Sequence, residues 1–559
     1  MSWSTDYPNY TQWQAVIDAQ ARGFALWCAF VVLLLLPALW IYHKSKRPDS
    51  NARTATRIIA LAIFYLSFFP LSRPLWPLIP MAALLATLAY SWRAHLRRPC
   101  ARWVALLVAA VAVRLPLLFE SLWYDETFTA AVSARPFADM LTIITKSDLH
   151  PPGWYSIEWV IIRLFGNSEI ALRAPALVCG LLLIPLTYRL ARDLFGQDVA
   201  WWSAVLIAIL PGTVYYSAEA RTYALLACLC VGMMIAAVEN RPVLFTFCAL
   251  SAIMLHNLAC LWTAWLGLIA FYYNRPQFRR WFLAGIPVAV VAGLWFPIMR
   301  AQSQDISNGF WLTTSPAALL SPLGTLTVGD RVNDAYMLHI TAAIATITAL
   351  SLVILRKWFL TSNGKLWLLF LLAVPASEAV VSFVWNPVYL HRTFLASAVV
   401  LVMAWAYLLT KSYSGDRLIY RLIILPMLAV ALVCTWQPER SKRPAFRQTL
   451  AEACRGADAI YNTSIHIHFV TSYYSDLPQV LWTEAGDINQ ELTPEAIRAL
   501  GWTQGTLDDL RGQSVCVLDF QTLLNRQSER DYIQQIIAGQ TGYYIIGNTL
   551  FSLNGYVLP

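Results

Sequence analysis

The stretch IALRAPALVCGLLLIPLTYRL, residues 170–190, decides the fold. Its only charges are Arg173 and Arg189, near its two ends. At about 1.5 Å of rise per residue, a helix of that length crosses roughly 30 Å of hydrocarbon. Further apolar runs of spanning length or slightly less lie at about 24–42, 57–71, 74–91, 102–119, 199–215, 217–238, 241–255, 257–273, 281–299, 337–355, 365–385, 393–410 and 418–436, so about 14 spans are expected. The 57–71 and 74–91 pair and the 241–273 stretch read as tight hairpins. Composition agrees. The 559 residues are 58% hydrophobic and 13% charged, with 24 Trp and a mean hydropathy of +0.52. A soluble chain carries about a quarter charged residues, so lipid is the solvent here. The class is mainly α, a multi-pass transmembrane protein.

Orientation follows from where Lys and Arg fall. With 43–57 taken as cytoplasmic, twenty-one lie in cytoplasmic connections. The opposite face, from 71 to 392, holds nine: Arg73, Arg135, Lys146, Arg163, Arg173, Arg221, Arg300, Arg331 and Arg392. Both termini are therefore expected outside. This treats the apolar stretch 153–165 as a helix on the outer surface, because thirteen residues are too few to span comfortably. Two outer loops are long, 120–169 and 300–336, and the second is rich in Ser, Thr, Asn, Asp and Gly. Residues 1–22 lack the basic start and cleavage pattern of a signal peptide, so the N-terminus is expected to be retained.

After Trp436 the chain turns polar, with strand-like runs at 457–463, 514–520 and 542–552 and a helix expected at 444–454. The division expected is extra N-terminal helices over 1–100, a main transmembrane module over 101–436, and a small extracytoplasmic α/β domain over 437–559. Net charge is +9, but the cations lie in short clusters between apolar runs, which excludes a nucleic-acid partner. Ten Cys show no metal spacing. Cys454 and Cys516 are the only two in the tail, and an oxidising outer compartment predicts a disulfide between them; two buried free thiols are the alternative.

Three acid-bearing, aromatic-flanked clusters share the outer face: Trp123-Tyr124-Asp125-Glu126, Asp148-Leu149-His150-Pro151-Pro152-Gly153-Trp154-Tyr155, and Glu219-Ala220-Arg221-Thr222-Tyr223. In a protein with so few charges, three such groups on one side point to a site. The aromatic residues also suit an interfacial belt.

These residues resemble the GT-C class of integral-membrane glycosyltransferases, in the branch holding bacterial protein O-mannosyltransferase homologues and the lipid A aminoarabinose transferase. The family's Asp-Glu pair outside an early helix matches Asp125-Glu126. Its His-Pro-Pro-x-x-Tyr element matches His150 to Tyr155. Phe165-Gly166, Glu169, Arg173 and Pro175 match its Phe-Gly…Glu…Arg-x-Pro stretch, Leu190 to Gly196 its Leu-Ala-Arg-x-Leu-Phe-Gly, and Glu219 to Tyr223 its Glu-Ala-Arg-x-Tyr. The likeness is strong over about 102–240 and looser to about 450. Two departures stand out: the spans before residue 100 lie outside the usual core, and the family's late Arg-Tyr reads Arg392-Thr393 here.

The resemblance implies a sugar donor on polyprenyl phosphate, an acceptor hydroxyl of unknown identity on a glycan, lipid or protein, and action at the outer face of the inner membrane. A phosphate leaves without a proton, so the chemistry needs one base and cations for the phosphate; a glycosidase would need two carboxylates. Asp125 is the expected base by resemblance. Glu126 and Asp148 could orient the acceptor, tune the base or bind a cation, or else solvate and cap the loop. Arg221, Arg392, Lys146 and Arg331 are the candidates to hold phosphate, or else interfacial anchors. Glu219 and Tyr223 accompany Arg221 in substrate binding, and His150 could bond acceptor or donor or serve structure. No cofactor is expected, although Asp125 and Asp148 could share a divalent cation. The rival class is a transporter or lipid-linked glycan flippase, which would show repeated halves and ionisable residues in mid-helix; no internal repeat is evident.

Overall fold

A computed structural model describes residues 99–306, 321–328, 362–385, 388–411, 414–436, 445–482, 492–520, 543–548 and 551–558. The runs at 24–42, 57–71, 74–91 and 337–355 lie outside the described residues, as does Arg331.

The chain is mainly helical. In order come α1 (Pro99–Ala112), α2 (Leu115–Leu118), α3 (Tyr124–Ser133), α4 (Phe137–Ser147), α5 (Gly153–Phe165), α6 (Glu169–Phe195), α7 (Gln197–Ile209), α8 (Pro211–Tyr216), α9 (Tyr223–Val238), α10 (Pro242–Ile253), α11 (Ala259–Tyr273), α12 (Phe278–Ile306), α13 (Ser321–Val328), α14 (Ser362–Val384), α15 (Leu395–Lys411) and α16 (Ser414–Thr435). Among the described residues, three helical stretches are long and apolar enough to cross a membrane: Glu169–Phe195, Arg275–Ser303 and His391–Lys411. Val104, Val108, Val178, Leu182, Phe247 and Leu294 are exposed along α1, α6, α10 and α12, the outward apolar surface expected against lipid.

Two expected spans are broken, each for a physical reason. The run 102–119 divides between α1 and α2 at Val113 and Arg114. Arg114 is fully buried and bonded through two of its three nitrogens: Nε donates to Ser217 Oγ at 2.6 Å, and Nη1 to the carbonyls of Ala110 at 2.7 Å and Ala208 at 2.9 Å. The run 199–215 divides at Leu210, where Pro211 cannot continue the amide ladder and starts α8 instead. The loop expected over 120–169 is largely helical, comprising α3, α4 and α5. The helix expected over 153–165 is α5 itself, ended by Gly166 at φ 80°.

The C-terminal stretch folds as α17 (Phe446–Ala453), β1 (Ala459–Asn462), α18 (Ile465–Tyr474), β2 (Gln479–Trp482), α19 (Pro494–Leu500), β3 (Gln504–Gly505), β4 (Val515–Phe520), β5 (Tyr543–Asn548) and β6 (Phe551–Leu558). The sheet runs β3-β2-β1-β4-β6-β5, parallel from β3 to β4 and antiparallel beyond. The parallel strands are buried, with Ile460, Tyr461 and Val517 at zero exposure, as two-sided cover requires. Cys454 and Cys516 are disulfide-bonded across a separation of 62 residues, with Cα atoms 5.2 Å apart.

This sheet unit packs straight onto the loop helices. Phe128, Val132, Met140 and Ile144 share one apolar core with Ile465, Phe469, Ile497 and Leu500. Polar ties fix the seam: Leu122 N donates to Tyr474 Oη at 2.6 Å, and Thr493 N to Ser147 Oγ at 2.9 Å. The start of α3 is thereby clamped from above.

Candidate active site

Asp125 sits in the first turn of α3, where the helix N-terminus favours an anion. Its Oδ2 accepts from Arg392 Nη1 at 2.8 Å and lies 3.9 Å from Arg221 Nε. Arg221 Nη1 also reaches the Asp125 carbonyl at 3.4 Å, Thr129 Oγ1 at 3.3 Å and Tyr155 Oη at 3.3 Å. Burial pushes the Asp125 carboxyl up, but Arg392, Arg221 and His150 outweigh it and hold it below its ordinary value. The group is an anion wedged between two guanidiniums.

The second cluster meets the first through Tyr155. Its hydroxyl accepts from Arg221 and bonds the Asp148 carboxylate. His150 Nδ1 lies 3.3 Å from Asp148 Oδ1. Burial raises the Asp148 carboxyl, while His150, Arg221 and Tyr155 pull it down further. Asp148 and Asp125 therefore share Arg221 as counter-ion.

The third cluster supplies walls. Trp123 Nε1 donates to Glu219 Oε1 at 2.8 Å, and the Arg392 guanidinium lies 5.6 Å from the Trp123 ring and 5.3 Å from the Tyr223 ring. Both are cation–π distances. Arg392 is set from behind by the next residue: Thr393 Oγ1 donates to Glu378 Oε2 at 3.0 Å, and Glu378 Oε1 accepts from Trp262 Nε1 at 2.8 Å.

The structure thus brings together Asp125, Asp148, His150, Glu219, Arg221, Tyr223 and Arg392. Two expected residues stand apart. Glu126 turns inward, fully buried, where Arg173 donates to both carboxylate oxygens at 2.8 and 2.7 Å and Ala220 N donates at 2.8 Å. Arg173 in turn ties down the carbonyls of Leu117, Leu118, Glu120 and Ser121. That pair holds the loop, with its charges directed away from Asp125. Lys146 is exposed near the end of α4, within charge reach of Glu495.

His256, absent from the sequence-based set, belongs here. It lies in the turn joining α10 to α11, its ring 5.1 Å from His150 and 6.3 Å from Tyr223. Burial, then His150, Arg221 and Arg392, push its imidazole well below the ordinary value. The signal was present: Leu255-His256-Asn257-Leu258 puts polar residues between two apolar runs, in the turn of an expected hairpin. No group of three or more metal-type side chains gathers among the described residues.

No curated protein sequence matches the chain. Among solved structures it is similar to ArnT from Cupriavidus metallidurans in the apo state, with 16% identity and a TM-score of 0.45, covering 82% of this chain and 98% of that one. The same enzyme bound to undecaprenyl phosphate gives 16% identity and a TM-score of 0.42, covering 81% and 98%. An Archaeoglobus fulgidus oligosaccharyltransferase tethered to an acceptor peptide gives 10% and 0.42, covering 70% and 64%. A family model, that of dolichyl-phosphate-mannose-protein mannosyltransferases, matches residues 149–296. That segment carries His150, Glu219, Arg221, Tyr223 and His256, and with the motifs around it the match indicates a GT-C glycosyltransferase.

Proposed function

We propose that this membrane glycosyltransferase moves a sugar from a polyprenyl-phosphate-linked donor to an acceptor hydroxyl at the outer face of the inner membrane. One observation carries the reading: a carboxylate with only 15% of its side chain exposed, Asp125, held by two arginines at 2.8 and 3.9 Å. A base and the cations for a phosphate leaving group share one small volume. Support for the donor comes from the ArnT structure that binds undecaprenyl phosphate, and support for the side from the Lys/Arg bias.

The acceptor hydroxyl gives its proton to an Asp125 carboxylate oxygen as its own oxygen bonds the anomeric carbon. The bond from that carbon to the phosphate oxygen breaks, and its electron pair stays on the phosphate facing Arg221 and Arg392. In the free enzyme those arginines depress Asp125, which makes it a weak base. A phosphate that takes over their N–H groups removes that depression, so donor binding itself strengthens the base. Tyr155 and Asp148 keep Arg221 oriented during the exchange.

The test uses proteoliposomes of the full chain in lipid extracted from its native membranes, with free polyprenyl phosphate measured by mass spectrometry. Wild type should release it. Asp125→Asn keeps the shape but cannot take the proton, and should release it about 10²–10⁴ times more slowly. Release at the wild-type rate by Asp125→Asn would overturn the assignment.

A further inference from the structure

We infer that His256 is a phosphate ligand, its Nε2–H donating to a non-bridging oxygen of the lipid-linked phosphate held by Arg221 and Arg392. This rests on the donor reading above and assigns that site a third donor.

The tautomer is fixed by the backbone. His256 Nδ1 accepts the Leu258 N–H at 3.2 Å, so the neutral ring carries its proton on Nε2, on the side away from the chain. The ring is only 8% exposed and lies against His150 and Tyr223, within charge reach of both arginines and of Asp148. A third positive charge there is opposed by its neighbours; a neutral donor is not. Neutral imidazole beside two guanidiniums gives a phosphate oxygen a directional bond without adding charge.

The turn is also immobilised, as a ligand-binding group requires. Asn257 Nδ2 donates to the Leu149 carbonyl at 2.7 Å, and Asn257 Oδ1 accepts from Trp295 Nε1 at 2.8 Å. Gly153 N donates to the Met254 carbonyl at 2.8 Å, where a Cβ on residue 153 would stand only 2.4 Å from that oxygen. Glycine at that position lets the His-Pro-Pro segment close on the turn. His256 therefore keeps its place relative to Asp148 and His150.

Glutamine and asparagine separate the two ring nitrogens. His256→Gln places an amide N–H near Nε2, while His256→Asn places its amide near Nδ1 and leaves Nε2 without a substitute. Binding of undecaprenyl phosphate to the purified full chain in detergent is measured for each, alongside thermal unfolding. His256→Asn should bind about tenfold more weakly or worse, and His256→Gln within a few-fold of wild type, with both melting as wild type does. Loss by Gln and retention by Asn would make His256 a turn-holding residue and overturn the assignment. Wild-type binding by both, or equal loss in both at unchanged melting, would overturn it too. Wild-type protein that binds no polyprenyl phosphate would instead bring down the donor reading, and this inference with it.

Discussion

Asp125 and Glu126 are adjacent in sequence and opposite in duty. Consecutive helical positions differ by about 100° in direction, so one carboxylate faces the arginine cluster and its neighbour faces the interior. The sequence offered an acidic pair and a family likeness, but not which member points inward; that is set by Arg173, 47 positions downstream. Removing one partner of a fully buried pair leaves an uncompensated charge and costs about 3–5 kcal/mol. Glu126→Gln should therefore lower the unfolding temperature of the purified protein markedly. If it melts like wild type while losing turnover, Glu126 belongs to the chemistry and the structural assignment fails. Asp148, His150, Glu219, Arg221, Tyr223 and Arg392 were all legible as candidates because charge is scarce on that face. His256 was passed over because a single histidine inside an apolar stretch carries no charge signal.

Elements were harder to read than residues. α3 and α4 were read as loop because their apolar faces are covered by α18 and α19, more than 300 positions away, and local periodicity does not reveal so distant a partner. The tight hairpin expected at 241–273 matches α10, the His256 turn and α11. The short 3₁₀ stretch His391–Phe394, which presents Arg392, has no local signature at all. It is held by α14 through Glu378, and that gives a prediction. Glu378→Ala leaves Trp262 without its acceptor and Thr393 Oγ1 with only the Leu390 carbonyl at 2.7 Å, which loosens the tie between α14 and the backbone that aims Arg392. It should lower kcat/KM for the lipid donor about tenfold, and Glu378→Gln should restore most of it. Unchanged kcat/KM in Glu378→Ala would show that Arg392 is positioned by its contact with Asp125 alone.

At the scale of the whole molecule, a helical body carries its site beneath a sheet unit, and both must share one side of the membrane. We propose that this side is the outer one, the reading that the Lys/Arg bias favours. Ser133 makes a poor label position, since it is fully buried against the Tyr155 carbonyl. Ala138 and Ser472 are exposed. With Cys100 replaced by Ser, cysteines at positions 138 and 472 should react with an impermeant maleimide in intact spheroplasts. Reaction only after lysis would reverse the topology.

The Cys454–Cys516 bridge closes a loop containing β1, α18, β2, α19 and β3. By chain entropy, closing a loop of that length is worth about 4 kcal/mol. Tyr474, whose hydroxyl anchors Leu122 three residues before Asp125, lies inside that loop. The stretch that steadies the proposed base is thus locked by two sulfurs that must lose electrons to some oxidant after the chain is made. Supply of that oxidant becomes a condition of activity, and a newly inserted molecule would pass through an immature, dithiol stage before its cover was secured.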